Sequence, residues 1–128
     1  MKSVVICGSR RFKPGIRKFT GDLKKAGVIV FEPYLHDGKD EWERLSDDYK
    51  KFIALGLTHD HFYKIKMADV VFIYNKNGYC GPSTTMEIGA AVALNKPIYG
   101  LEKDEELCRT VLFREIIKTP SQLIKKLK

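Results

Sequence analysis

The chain has little that would place it outside a reducing compartment. Its three cysteines, Cys7, Cys80 and Cys108, form an odd set with no paired framework. That excludes a disulfide-stapled secreted scaffold and leads us to expect a cytoplasmic protein. No apolar run approaches the ~20 residues that cross a bilayer, so no membrane partner is expected. Met1-Lys2 leads straight into a β-branched stretch, without the h-region or small-residue cleavage site of a signal peptide. Neither a Walker loop nor a G-x-G-x-x-G fingerprint is present, so a nucleoside triphosphate or dinucleotide is not implied, and no cofactor is expected. Repeats, linkers and low-complexity segments are also missing. At 128 residues the chain suits one core and is too short for two, so residues 1–128 read as a single domain.

What is present is ordinary globular composition, 44% apolar and 30% charged, far from the disordered regime. The net charge of +7 would suit a polyanion, but its distribution argues otherwise. Lys18, Lys24 and Lys25 crowd one candidate helix, and Lys118, Lys125, Lys126 and Lys128 crowd the C-terminus. No aromatic platform interleaves them, so they read as solvated helix faces and a nucleic-acid partner is not expected.

Hydrophobic periodicity alternates between strand and helix. Ser3–Cys7 reads as a buried strand, and Ile16, Phe19 and Leu23 lie at helical spacing with Gly27 as the stop. Val28–Phe31 is a second strand, which makes a right-handed βαβ unit. The polar stretch from Tyr34 to Ser46 reads as a long lid-like loop, with Trp42, the only tryptophan, placed to cover a ligand. A helical pattern follows from Asp47, expected to break near Gly56 and to turn Phe62, Ile65 and Met67 inward. Asp69–Tyr74, Pro97–Gly100 and Phe113–Ile117 read as strands, Ser83–Leu94 and Asp104–Arg109 as helices. Thr119-Pro120-Ser121-Gln122 is a capping-box start for a last helix. The alternation predicts an α/β fold: a doubly wound, Rossmann-like open sheet of about five mostly parallel strands.

Candidate chemistry concentrates between Gly78 and Pro97. Gly78, Gly81 and Pro82 let the backbone approach a ligand, and Ser83, Thr84 and Thr85 add hydroxyls at a positive helix end, an arrangement that suits a phosphate. Glu87 has two readings. Thr84 and Glu87 fit the spacing of a capping box; alternatively Glu87 is a reactive carboxylate, kept ionised by the helix end. His59, His61 and Cys80 could be imagined as zinc ligands, though their spacing matches no structural zinc motif, and no metal is expected. Cys7 reads as a small core residue, Tyr74 and Tyr79 as packing or base-stacking residues, and Asp69 as a turn anchor.

Three segments together resemble the nucleoside 2-deoxyribosyltransferase superfamily, which includes the 2′-deoxynucleoside 5′-phosphate N-hydrolases. They are ICGSR (Ile6–Arg10), ADVVF (Ala68–Phe72) and GPSTTMEIGAAVALNKP (Gly81–Pro97), the last being the most specific. Pro33–Asp47 carries none of the resemblance. It implies that Glu87 attacks the anomeric carbon and forms a glycosyl-enzyme intermediate, resolved by water or by a second base. It also implies that Gly8, Ser9 and Arg10 line the sugar or phosphate pocket with Ser83 and its neighbours Gly81 and Thr84. Several family members hold the glutamate with a first-strand tyrosine, where this chain has ValValIleCys; many carry an aspartate before the AspValVal strand, where the nearest residues here are Asp60 and His61. His61 is the candidate general acid.

The expected activity is cleavage or exchange of the N-glycosidic bond of a nucleoside or its 5′-monophosphate. Hydrolysis is favoured slightly, because Arg10, Arg11 and the hydroxyl loop suit a phosphate. A non-catalytic nucleotide-sensing module on the same fold is the alternative, since similar phosphoribohydrolase and lysine-decarboxylase-like proteins pair a glycine/threonine loop with glutamate. The resemblance further implies a homodimer or higher homo-oligomer.

Overall fold

A computed structural model describes residues 1–128. Two β-branched runs form its centre. Strands β1 (Val4–Cys7) and β3 (Val70–Ile73) pair in parallel, Val4 against Val70 and Cys7 against Ile73, and every residue of both is buried. That is the condition of strands covered on both faces. β2 (Val30–Phe31) flanks β1, β4 (Ile98–Gly100) flanks β3, and β5 (Glu115–Ile116) closes the far edge. The sheet is wholly parallel in the order β2-β1-β3-β4-β5, as the doubly wound reading requires.

The strand alternation sorts the core into two halves. Val4, Ile6, Val70 and Phe72 pack with Ile16, Phe19 and Leu23 of α1 (Lys13–Lys25) and Leu123 and Leu127 of α6 (Pro120–Leu127). Val5, Cys7, Val71 and Ile73 pack on the opposite face with Ile65 of α3 (Asp47–Met67) and Ile88 and Ala91 of α4 (Pro82–Ala93). Cys7 therefore points toward the α3–α4 side.

β1 leads through α1 to β2 on one side, and the chain then crosses to β3 on the other. The crevice between the C-terminal ends of β1 and β3 is thus the switch point, where open α/β sheets bind ligands.

Several elements differ from expectation. The Tyr34–Ser46 stretch is not all loop: Lys39–Arg44 forms α2, with Asp40 and Glu41 in its first turn where carboxylates complement the helix dipole. α3 runs unbroken through Gly56, which is exposed and has open space where a Cβ would be. A mid-helix glycine costs ~1 kcal/mol, too little to split a helix whose distal half is anchored by Ile65. Met67 is exposed rather than inward, while Ile65 is fully buried and Phe62 packs partly. The acidic helix expected over Asp104–Arg109 is instead the short α5 (Leu107–Thr110), because Asp104 is buried and bound by Arg109. β2 and β5 are shorter than read, each a two-residue ladder.

Other local expectations are met. α1 ends on Gly27 at φ +85°, with Val28 N–H bonding Leu23 C=O and Gly27 N–H bonding Lys24 C=O, the Schellman pattern. Asp69 accepts from the Ser3 amide at 2.8 Å and anchors the entry to β3. The α6 capping box forms in both directions between Thr119 and Gln122. Thr119→Ala should therefore cost about 1 kcal/mol, seen as a melting temperature lower by roughly 2–8 °C.

Candidate active site

The site is built around the start of α4. Pro82 occupies the first helical position and Gly81 is the N-cap, in extended backbone with no side-chain cap bond. Proline's fixed φ favours this start, which places the hydroxyl residues inside the helix rather than at its cap. Thr84 is then buried within the first turn, and the Thr85 hydroxyl donates back to the Gly81 carbonyl at 2.9 Å. The Thr84–Glu87 capping box does not form. Glu87 lies in the second turn, free of backbone duty, and its side chain is only 14% exposed.

His61 of α3 meets it there, with Nε2 3.6 Å from Glu87 Oε2. Its neighbour along the helix face, Ile65, is fully buried, and the same spacing carries His61 inward. Cys7 arrives from the end of β1, its Sγ 3.3 Å from the same Nε2.

The three groups share a dry environment, and burial dominates their ionisation. Burial raises Glu87 from the ordinary carboxyl range to about 7. The helix dipole fades beyond the first turn, so the expectation that it keeps Glu87 ionised is corrected: desolvation prevails. Burial, then the Lys64 ammonium, lower His61 to about 4, so the ring is neutral at pH 7. Burial, then the Glu87 carboxylate, push the Cys7 thiol well above its usual range. A neutral imidazole with a bare Nε2 accepts the Cys7 S–H; with Nε2 protonated its N–H faces Glu87 Oε2 across 3.6 Å, just beyond a hydrogen bond.

Above this floor opens a cavity of about 220 Å³, contributed by four segments of chain. Gly8 and Arg10 follow β1, Tyr34 follows β2, His61 comes from α3, and Ser83 and Glu87 from α4. A Cβ on Gly8 would stand 3.1 Å from the Tyr74 carbonyl oxygen, so only glycine keeps this corner open without a shift. Arg10 sits at the exposed rim and donates to the His36 carbonyl at 2.6 Å.

Five of the sequence-derived candidates, Gly8, Arg10, His61, Ser83 and Glu87, line this one cavity. Ser9, Gly81 and Thr84 do not; Ser9 instead accepts from the Arg11 amide and caps the short turn before α1. Trp42 lies in α2, outside the lining, whereas Tyr34 is within it. Tyr74 packs in the core against Phe19, and Tyr79 lies beneath the Arg11 guanidinium at 3.7 Å, so both serve packing. The imagined zinc set is not assembled: His59 is exposed, and Cys80 donates to Asp104 at 3.2 Å. Burial, then that bond to Asp104, raise the Cys80 thiol to about 12.

Sequence reasoning missed Cys7 as a neighbour of His61. Strand alternation held the signal, since Cys7 shares a face with Val5 and Ile73.

No family model matches the chain, and no curated protein matches it in sequence. Its structure, however, superposes on solved ones. A 2-deoxyribosyltransferase of Bacillus psychrosaccharolyticus aligns with a TM-score of 0.69 at 19% identity, covering 94% of this chain and 89% of its own. A conserved protein of Enterococcus faecalis aligns at 0.64 and 15% identity, over 99% of this chain and 97% of that one. The CMP N-glycosidase BcmB of Clostridium botulinum aligns at 0.52 and 21% identity, over 98% and 97%. The chain thus has, along nearly its whole length, the fold on which a 2-deoxyribosyltransferase and a CMP N-glycosidase are built.

Proposed function

We propose that the protein breaks or exchanges the N-glycosidic bond of a nucleoside or nucleoside 5′-monophosphate, with Glu87 as nucleophile. The observation that carries this reading is a buried carboxylate, released from any capping role, on the floor of a cavity whose rim bears Arg10. The shared fold with a deoxyribosyltransferase and a CMP N-glycosidase supports it.

In the proposed sequence the ionised Glu87 attacks the anomeric carbon as the C–N bond breaks and its electron pair leaves with the base, which takes up a proton from water in the open cavity. Water then attacks the same carbon, its proton passing by way of His61 to solvent, which releases the sugar and returns Glu87 as a carboxylate; in transfer, a second base replaces water and loses its ring N–H proton by the same route. His61, neutral at pH 7, acts in this reading by orienting Glu87 and by accepting a proton rather than by supplying one from a charged ring. Arg10 is the proposed phosphate contact, its guanidinium exchanging the His36 carbonyl for a charged oxygen. This favours hydrolysis of a monophosphate.

A panel of nucleosides and 5′-monophosphates, with and without an added acceptor base, tests the reading. Release of free base supports hydrolysis; a new nucleoside formed only with acceptor supports transfer. Tight binding without turnover would favour the sensing module instead. Arg10→Ala should raise KM for a monophosphate roughly 10–100-fold, the worth of one charge-assisted hydrogen bond, and leave that for the nucleoside nearly unchanged. Equal effects on both substrates would remove Arg10 from the phosphate role.

We also propose a homo-oligomer packed through the α3–α4 flank, where Phe52, Leu55 and Met86 are all more than half exposed; light scattering would show a mass above that of one chain. A reducing, cytoplasmic setting fits the three free cysteines.

A further inference from the structure

We propose that Cys7, His61 and Glu87 form a binding site for a thiophilic divalent ion of the zinc class, and that filling it withdraws Glu87 from the substrate. The inhibitory half of this inference rests on Glu87 being the nucleophile; the binding half rests on geometry alone.

The ligand atoms are of three kinds, thiol, imidazole and carboxylate, the set that zinc takes in proteins. Sγ of Cys7, Nε2 of His61 and a Glu87 carboxylate oxygen lie within 4.8 Å of one another. With zinc–sulfur near 2.3 Å and zinc–nitrogen or zinc–oxygen near 2.0–2.2 Å, the edges of a tetrahedral site are about 3.5 Å for S···N and about 3.3 Å for N···O. The structure has 3.3 Å between Cys7 and His61 and 3.6 Å between His61 and Glu87. Both gaps are within a few tenths of an ångström of what the ion needs. The third, between Cys7 and Glu87, is bounded at 4.8 Å against a tetrahedral edge of about 3.6 Å, so the Glu87 side chain closes on the ion by up to about an ångström.

The three come from separate elements, β1, α3 and α4, whose packing across one sheet face fixes their spacing. His61 and Glu87 line the cavity, which provides an entry path, while Cys7 lies behind them, outside the lining. A thiolate with an imidazole selects zinc over magnesium or calcium, which prefer all-oxygen sites. Binding displaces the Cys7 thiol proton to solvent, as metal binding to a thiol does. Coordination then occupies the carboxylate that would otherwise attack the sugar, so ion and substrate compete for one group.

The test uses the full-length protein in a Cys108→Ser background, which removes the exposed thiol. Cobalt(II), titrated as a spectroscopic probe for zinc, should give the visible bands of a tetrahedral ion and a thiolate charge-transfer band in the near ultraviolet. Cys7→Ser should abolish the charge-transfer band and weaken zinc binding by more than the roughly 10–100-fold that even supporting residues cost. Cys7→Ala serves as a second variant should the serine perturb the strand. Zinc, but not magnesium, should suppress turnover in step with occupancy; a chelator should restore it, and Cys7→Ser should turn over unaffected by zinc.

No charge-transfer band, or one that persists in both Cys7 variants, would overturn the site. A Cys7-dependent band with zinc-insensitive turnover would overturn the withdrawal of Glu87. A Cys7-dependent band in a protein that, chelator-treated, turns over no substrate would sustain the site and defeat the glycosidic reading.

Discussion

Glu87→Gln should lower kcat/KM by at least about 1,000-fold, a loss of roughly 4 kcal/mol in transition-state stabilisation, and should raise stability at alkaline pH. The two effects share a cause. Gln keeps the shape of the side chain but has no carboxylate to attack with. It also cannot ionise in a buried place. The folded chain holds the Glu87 carboxyl near 7 against an ordinary value of 4.5, so between these values the folded state binds a proton that the unfolded chain has lost. Stability from the protonated carboxyl is complete below about 4.5 and disappears as the pH rises through about 7. At roughly 1.4 kcal/mol per pH unit the ionised wild type gives up on the order of 3 kcal/mol that Gln retains.

Melting temperatures of the two proteins, freed of metal by a chelator, should therefore separate by several degrees at pH 8 and converge at pH 5. Activity should run the opposite way. Because the nucleophile must be ionised, wild-type kcat/KM should climb with pH through about 7 and fall about tenfold per unit below it. A variant that is more stable and inactive is the expected mark of a destabilised functional group. A variant that melts lower yet keeps its activity would return Glu87 to a structural role.

The second large effect falls on stability. Asn75 is fully buried at the end of β3 and uses its whole amide. Its Oδ1 accepts from the Leu101 and Glu102 amides at 3.1 and 3.0 Å, and its Nδ2 donates to the Glu102 carbonyl and to Asp104 Oδ2. Asp104 is itself fully desolvated at the side chain and pairs with Arg109 at 2.7 Å. Burial alone would raise Asp104; the bonds from Arg109, the Glu106 amide, Asn75 and Cys80 outweigh it and hold the carboxyl below its usual range.

Asn75→Ala leaves the Glu102 amide and carbonyl without these partners, while Leu101 keeps its bond to the Ile73 carbonyl. Two groups are orphaned, and because Glu102 is only partly buried each falls in the lower part of the about 1–3 kcal/mol range; the expected loss is roughly 2–4 kcal/mol, measured as a lower denaturation midpoint at unchanged m-value. The same network braces Gly78, whose φ of +76° and close approach to the Lys103 carbonyl shape the loop into α4. Loss of activity in this variant should therefore accompany loss of structure, unlike Glu87→Gln.

The fold was legible where burial is continuous. Val4–Cys7 and Val70–Ile73 are β-branched runs that no helix periodicity imitates, and they are the two strands that define the switch point. β2 and β5 were harder to bound, because two-residue ladders are set by neighbouring strands rather than by their own residues. The place of the candidate cavity was readable from a strand, a Gly-Pro turn and a helix. The grouping of side chains on its floor was not, for a local reason and a distant one. Locally, Thr84 and Glu87 mimic a capping box, and only the helix start at Pro82 shows that they are not one. At a distance, His61 is 26 residues before Glu87 in the chain and Cys7 a further 54 before that. Their meeting depends on α3 lying beside α4 over the end of β1, which no spacing along the chain encodes.

The central claim is that Glu87 becomes covalently bound to the sugar. Chelator-treated protein, acid-quenched during turnover of the best panel substrate and mapped by peptide mass, tests it most directly. The account predicts a peptide containing Glu87 that carries the mass of the glycosyl group of the substrate and is absent from Glu87→Gln. Substrate turned over at full rate with Glu87 unmodified, and Glu87→Gln as fast as wild type, would contradict it.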